Sequence, residues 1–116
     1  VNSQIMLEAF EGSIGKAIQL QDKQEEYEQI ENVIINLEKR DKIDTLNKAE
    51  VIYKAKEEKF EILDYINIIL LDLAKKSSKY AMCINIVEDT KRRLQSNANY
   101  DMSIDNMLLK LWEQVH

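Results

Sequence analysis

The chain has 116 residues, of which 45% are apolar and 32% are charged, and its formal net charge at pH 7 is −5. This length suits one domain with a real core, and the apolar fraction argues against a disordered chain. A single cysteine excludes an internal disulfide. With no proline and only two glycines, the chain has few residues that interrupt a helix, so the composition favours an all-α protein.

The apolar pattern predicts seven helices. In chain order they cover residues 3–11, 14–21, 23–40, 45–55, 60–76, 80–95 and 100–115. The third helix has the clearest stripe at helical period, formed by Tyr27, Ile30, Val33, Ile34 and Leu37. Asp44 is the predicted N-cap of the fourth helix. The pattern does not decide whether the charged segment 54–59 forms a turn or continues the helix.

The fifth and last helices carry the strongest apolar signals. The fifth is apolar around most of its circumference, which is typical of a central, buried helix. The last helix is predicted to begin after the N-cap Asn99. Its core-facing stripe is Ile104, Met107, Leu108, Leu111 and Val115. Leu109 and Trp112 lie on a different side, where Trp112 either shields the end of the bundle or anchors a partner protein.

The charge is distributed unevenly along the chain. Residues 1–38 carry a net charge of −6, whereas residues 39–116 carry +1. Because phosphates repel an acidic chain, we do not expect this protein to grip DNA by itself. Arg92 and Arg93 follow Lys91 in the one dense basic cluster. That cluster is either a solvated face near a helix C-terminus or a contact for a phosphate or an acidic partner.

The chain offers little for catalysis. His116 is the only histidine, and Cys83 lies on an apolar helical face where cysteine usually acts as a small hydrophobe. The sequence lacks the ligands of a zinc site and the glycines of a phosphate loop. We therefore expect no enzyme, no cofactor, no metal and no small-molecule substrate. The longest apolar stretch, residues 66–73, is too short to cross a membrane, so no membrane contact is expected.

Two stretches carry a resemblance to a known family. Residues 12–18 read Gly-Ser-Ile-Gly-Lys-Ala-Ile, and residues 94–100 read Leu-Gln-Ser-Asn-Ala-Asn-Tyr before a leucine-rich helix. The first resembles the start of the sensor-2 helix in the lid of clamp-loader ATPases. The second resembles the last turn of clamp-loader collar domains. Together they most resemble the delta-prime subunits of the bacterial DNA polymerase III clamp loader.

The resemblance implies a domain division and a loss of function in the lid. Residues 1–22 would be the tail of the lid domain, and residues 23–116 would be the collar, an oligomerisation bundle of about five helices. Gly15 stands where active members carry an arginine that contacts the nucleotide phosphates. Glycine has no charge to offer there, so this lid is not expected to sense ATP. The chain also has Leu71 before Asp72, where the family often has an Arg-Asp pair.

The resemblance also implies a function and partners. The chain would be the non-catalytic, cytoplasmic collar of a longer subunit whose ATPase-like domain lies upstream. Its partners would be the gamma/tau and delta subunits, and DNA would be reached only through the complex. Leu109, Trp112, Arg92 and Arg93 are the predicted interface residues. The alternative is a free-standing helical adaptor or regulator that binds another protein.

Overall fold

The computed structural model describes residues 17–116, with side chains from residue 24 onward. The described residues form α-helices and one turn of 3-10 helix, without a strand, so the predicted all-α helical bundle is confirmed. The elements are α1 (Ala17–Ile35), α2 (Lys42–Asn47), α3 (Glu50–Tyr53), the 3-10 turn (Lys56–Glu58), α4 (Lys59–Ala74), α5 (Lys79–Gln95) and α6 (Tyr100–Val115).

The long helices pack in a row, α1 against α4, α4 against α5 and α5 against α6. The short helices close the row, because α2 packs on α6 and α3 packs on both α1 and α6. The predicted stripe of α1 is fully buried, as is the predicted core face of α6. Within the described residues, no helix is both long and apolar enough to span a membrane.

The start of the described chain differs from the prediction. One helix, α1, runs without a break through Asp22 and Lys23, where the sequence predicted the end of one helix and the start of another. No glycine or proline lies between residues 17 and 35 to interrupt it. The helix ends at Ile35 instead of Arg40, because the Leu37 N–H turns to the carbonyl three residues back. The predicted first helix, Gly12 and Gly15 lie outside the described residues.

The predicted fourth helix is two short helices, α2 and α3, separated at Lys48 and Ala49. The N-cap is Asp41 and not the predicted Asp44. The Asp41 carboxylate accepts the Asp44 N–H at 2.7 Å, which satisfies one of the free donors at the helix start. The prediction was wrong because either aspartate suits the pattern. The segment left open, residues 54–59, holds the 3-10 turn that leads into α4.

The turn between α5 and α6 matches its prediction. Asn97 adopts the left-handed conformation with φ of 67°, and the Ala98 N–H donates to the Arg93 carbonyl at 3.1 Å. This arrangement closes α5 in a Schellman motif. Asn99 is the N-cap of α6, with its side-chain oxygen accepting the Met102 N–H at 2.9 Å. The bounds of α6 are those that the sequence predicted.

Candidate interaction surfaces and groove

Trp112 is half-buried and packs within the bundle. Its indole N–H donates to the Arg40 carbonyl at 2.8 Å, and its ring stacks on the His116 imidazole with centroids 4.1 Å apart. The Lys42 ammonium lies 5.6 Å from the ring centroid, within range of a cation–π contact. Leu109 is also half-buried. These contacts favour the interpretation in which Trp112 shields the end of the bundle.

The predicted basic cluster is paired with acids. Arg92 and Arg93 both approach the Asp89 carboxylate, at 3.4 and 3.2 Å. Lys91 lies 2.6 Å from Asp64 on α4, and these bonds raise the pKa of Lys91. Arg92 and Arg93 lie near the start of α6, whereas Trp112 lies about 18 Å further along that helix. The structure therefore does not bring the four predicted interface residues together in one patch.

An ion pair joins the turn after α1 to the start of α5. The Lys79 ammonium lies 2.8 Å from the Glu38 carboxylate, and the Tyr80 hydroxyl also donates to Glu38. The bonds from Lys79 and Tyr80 hold the pKa of Glu38 below its ordinary value. Glu38 thus accepts from both Lys79 and Tyr80.

The end of α6 also contacts the turn after α1. The His116 ring nitrogen Nε2 lies 2.9 Å from the Leu37 carbonyl oxygen, beside the Trp112 bond to Arg40. We call Glu38, Lys79, Tyr80, Trp112 and His116 the C-terminal latch. It joins the ends of α1 and α6 to the start of α5, so it fixes the chain where helix ends leave carbonyl groups free.

A second polar contact lies between α1 and α4, and we call Tyr27, Glu31 and Tyr65 the α1–α4 cluster. The rings of Tyr27 and Tyr65 meet edge to face with centroids 4.8 Å apart. Glu31 is only 1% exposed, and its Oε1 atom has no hydrogen-bond partner among the described residues. The Tyr65 hydroxyl is equally buried and unpaired there. Burial raises the pKa of Glu31 and also that of Tyr65.

Cys83 is buried in the core, as its position on an apolar face predicted. Burial raises the pKa of its thiol to about 11. The thiolate, which is the nucleophilic form, is therefore scarce at neutral pH. Within residues 24–116, no group of three or more His, Cys, Asp or Glu side chains is placed to hold a metal ion.

The sequence did not reveal an apolar surface on α4 and α5. Leu71 of α4 is 55% exposed, although its helix is otherwise mostly buried. The Asn67 amide donates to the Glu88 carboxylate at 2.6 Å, which fixes the antiparallel register of the two helices. One helical turn further, Leu71 lies opposite the half-buried Ile84. We call Leu71 and Ile84 the α4–α5 face. Periodicity missed it because α4 is apolar on nearly every side.

A groove with a volume of about 370 Å³ lies between α1 and the α2–α3 segment. Most of its lining residues have polar or charged side chains, and three of them are cations whereas one is an anion. The lining residues are Gln29, Asn32, Val33, Arg40, Asn47, Lys48, Glu50, Val51 and Lys54. A smaller cavity shares Gln29, Val51 and Lys54 with it and adds Glu25 and Glu26. The two together form one groove with a basic end and an acidic end.

Comparisons of the chain with protein-family models, with curated proteins and with solved structures found no match. The function is therefore argued from the residues, their geometry and the resemblance of the two sequence motifs.

Proposed function

We propose that this chain is the non-catalytic collar of a bacterial clamp-loader subunit of the delta-prime type. In this role it is an oligomerisation domain, and its partners are the gamma/tau and delta subunits of a pentameric loader in the cytoplasm. The loader places the sliding clamp on DNA, and the collar reaches DNA only through the complex. ATP hydrolysis belongs to other domains and subunits of that complex.

The α5–α6 turn is the observation that carries this proposal. The motif from Leu94 to Tyr100 supplies a left-handed Asn97 and a capping Asn99, and a leucine-rich helix follows. The turn therefore sets the direction of α6 against α5, the pair of helices that ends the bundle. The motif that carries the family resemblance thus forms a well-defined turn between two helices.

The α4–α5 face is the surface that we assign to a neighbouring subunit. Burial of apolar area contributes about 25 cal/mol per Å², so an exposed leucine beside a half-buried isoleucine favours association. The predicted anchor Trp112 already uses its indole N–H inside the chain. Arg92 and Arg93 already share Asp89, so they are better placed at the polar rim of an interface than at its centre.

The proposal is tested by mixing the protein with purified gamma/tau and delta subunits and measuring the mass of the product by light scattering. We expect a complex that contains one copy of this chain. The isolated chain contributes only part of a ring interface, so concentrations of about 10 µM are appropriate. A product that excludes the chain at that concentration contradicts the proposal.

The open groove favours a second candidate, an adaptor that binds a ligand or a protein on its own. Its lining offers amide and cationic donors, the small set of placed polar groups that is typical of binding sites. The two candidates differ in their parent gene. The collar requires an ATPase-like domain upstream in the same reading frame, whereas the adaptor requires none.

A further inference from the structure

The groove between α1 and the α2–α3 segment is lined by three cations, Arg40, Lys48 and Lys54, and by one anion, Glu50. Arg40 donates from Nη1 and Nη2 to the Asn32 backbone and side-chain oxygens, both at 3.3 Å. Its Nε lies 3.4 Å from the Asp44 carboxylate. A guanidinium has five N–H donors, so two of them have no acceptor within the described residues. The arginine is thus held rigidly and still has donors to offer.

Two lysines add to this charge. Lys48 has no ion pair among the described residues. Within residues 24–116 the one ion pair of Lys54 is with Glu50, at 3.7 Å, and both side chains are more than 70% exposed. A pair so exposed to water contributes little, so it neutralises Lys54 weakly. The groove therefore presents Arg40, which two hydrogen bonds and an ion pair hold in place, together with the exposed Lys48 and Lys54.

Amide groups extend the set of donors. The Asn32 side-chain oxygen accepts from Asn36 and from Arg40, which directs its amide nitrogen away from those partners. Gln29 and Asn47 also line the groove. A guanidinium fork with neighbouring amides and ammonium groups matches the oxygen atoms of a phosphate or a carboxylate.

The floor of the groove is apolar, because Val33 and Val51 line it from opposite sides. At the far end, Glu25 and Glu26 repel an anionic group. A ligand therefore has its charge at one end only, with its body along the valines. The volume of about 370 Å³ lies within the range of small-molecule sites.

We propose that this groove binds a small organic anion. Its phosphate or carboxylate group lies at Arg40 and Lys48, and its apolar body lies against Val33 and Val51. This inference is independent of the collar proposal, since none of these residues belongs to the α4–α5 face. If the chain assembles with clamp-loader subunits but does not bind anions, only the groove proposal is refuted. If it binds anions but does not assemble, only the collar proposal is refuted.

The test is an NMR titration of the whole chain, with backbone amide shifts as the readout. Phenyl phosphate and benzoate are the two anionic probes and separate phosphate from carboxylate recognition. Benzyl alcohol is the neutral probe of similar body. We expect saturable shifts at Val33, Lys48 and Val51 with one or both anions, at a dissociation constant of about 1 mM. Benzyl alcohol is expected to give no saturable shift there.

A matched pair of variants separates the groove from general charge effects. Lys48→Gln removes a cation of the groove, and Lys76→Gln removes an exposed cation in the α4–α5 turn. We expect Lys48→Gln to weaken binding about threefold and Lys76→Gln to leave it unchanged. Because Lys48 is exposed and has no ion pair among the described residues, we expect its substitution to leave the fold unchanged. Equal effects of the two variants, or no saturable shift at about 20 mM of either anion, overturn the proposal.

Discussion

Two polar contacts of opposite kinds involve helix α1 and the turn that follows it. The α1–α4 cluster is fully buried, and two of its oxygen atoms, Glu31 Oε1 and the Tyr65 hydroxyl, lack a partner among the described residues. The C-terminal latch is half-exposed, yet Glu38, Trp112 and His116 each have a bonded partner. Burial alone therefore does not identify the contacts that stabilise the fold. An unpaired buried oxygen costs free energy, whereas a paired one at the edge of the core contributes it.

We expect a substitution in the C-terminal latch to lower the free energy of unfolding most. Trp112→Ala removes the ring that stacks on His116 and the donor to the Arg40 carbonyl. We expect the free energy of unfolding to fall by about 2 kcal/mol, less than for a fully buried aromatic residue. Urea unfolding followed by circular dichroism measures this loss. Met102→Ala is the control, because Met102 is 71% exposed and its loss is expected to change little. Equal stabilities of the two variants would refute the structural role of the latch.

The next effect compares two buried tyrosines. The Tyr100 hydroxyl donates to the Ile52 carbonyl at 2.6 Å, whereas the Tyr65 hydroxyl lacks a partner among the described residues. Tyr100→Phe removes this bond, while the Ile52 carbonyl keeps the bond from the Ala55 N–H, so we expect a loss of about 1 kcal/mol of unfolding free energy. Tyr65→Phe is expected to cost nothing or to stabilise. The same urea titration measures both, and a larger loss for Tyr65→Phe would contradict the pairing described for the α1–α4 cluster.

The smallest effect is a dependence on pH, with opposite signs for two glutamates. Burial raises the folded-state pKa of Glu31 above its ordinary 4.5, so its charged form costs stability at neutral pH and not in acid. Lys79 and Tyr80 lower the folded-state pKa of Glu38, so Glu38 stabilises above its ordinary pKa of 4.5. That contribution is lost as the pH falls through the lowered folded-state value.

The corresponding variants test these signs. At pH 7 we expect Glu31→Gln to be more stable than the parent chain and Glu38→Gln to be less stable. Both differences are expected to shrink as the pH is lowered from 7 into the acid range, first for Glu31, whose folded-state pKa is raised, and last for Glu38, whose folded-state pKa is lowered. Urea midpoints across that range measure them. Shifts of the same sign at pH 7 would remove the contrast between the two contacts.

Much of this fold was predictable from local pattern. The core stripe of α1 and the bounds of α6 follow from apolar period and from the capping residue Asn99. The end of α1 was not predictable, because the apolar stripe continues to the buried Leu37, two residues beyond the point where the helix ends. The choice of Asp41 over Asp44 as N-cap also escaped the pattern, since the two residues have the same chemistry.

The candidate surfaces were less accessible to sequence reasoning. Trp112 was recognisable as unusual, but its partner, the Arg40 carbonyl, is 72 residues away in the chain. The α4–α5 face depends on the register set by Asn67 and Glu88, which no local pattern encodes. The groove joins residues of three helices with Arg40, so only the folded chain assembles its positive end.

We propose that the chain is an assembly module that uses the α4–α5 face. The most direct test compares the dissociation constants of Leu71→Asp and Met102→Asp for the gamma/tau and delta subunits. Both changes place a carboxylate at an exposed apolar residue of a helix. We expect Leu71→Asp to weaken assembly at least about tenfold, because a charge is costly to bury, and Met102→Asp to leave it unchanged. Equal affinities of the two variants would contradict the assignment of this face, and no assembly of the parent chain would contradict the collar itself.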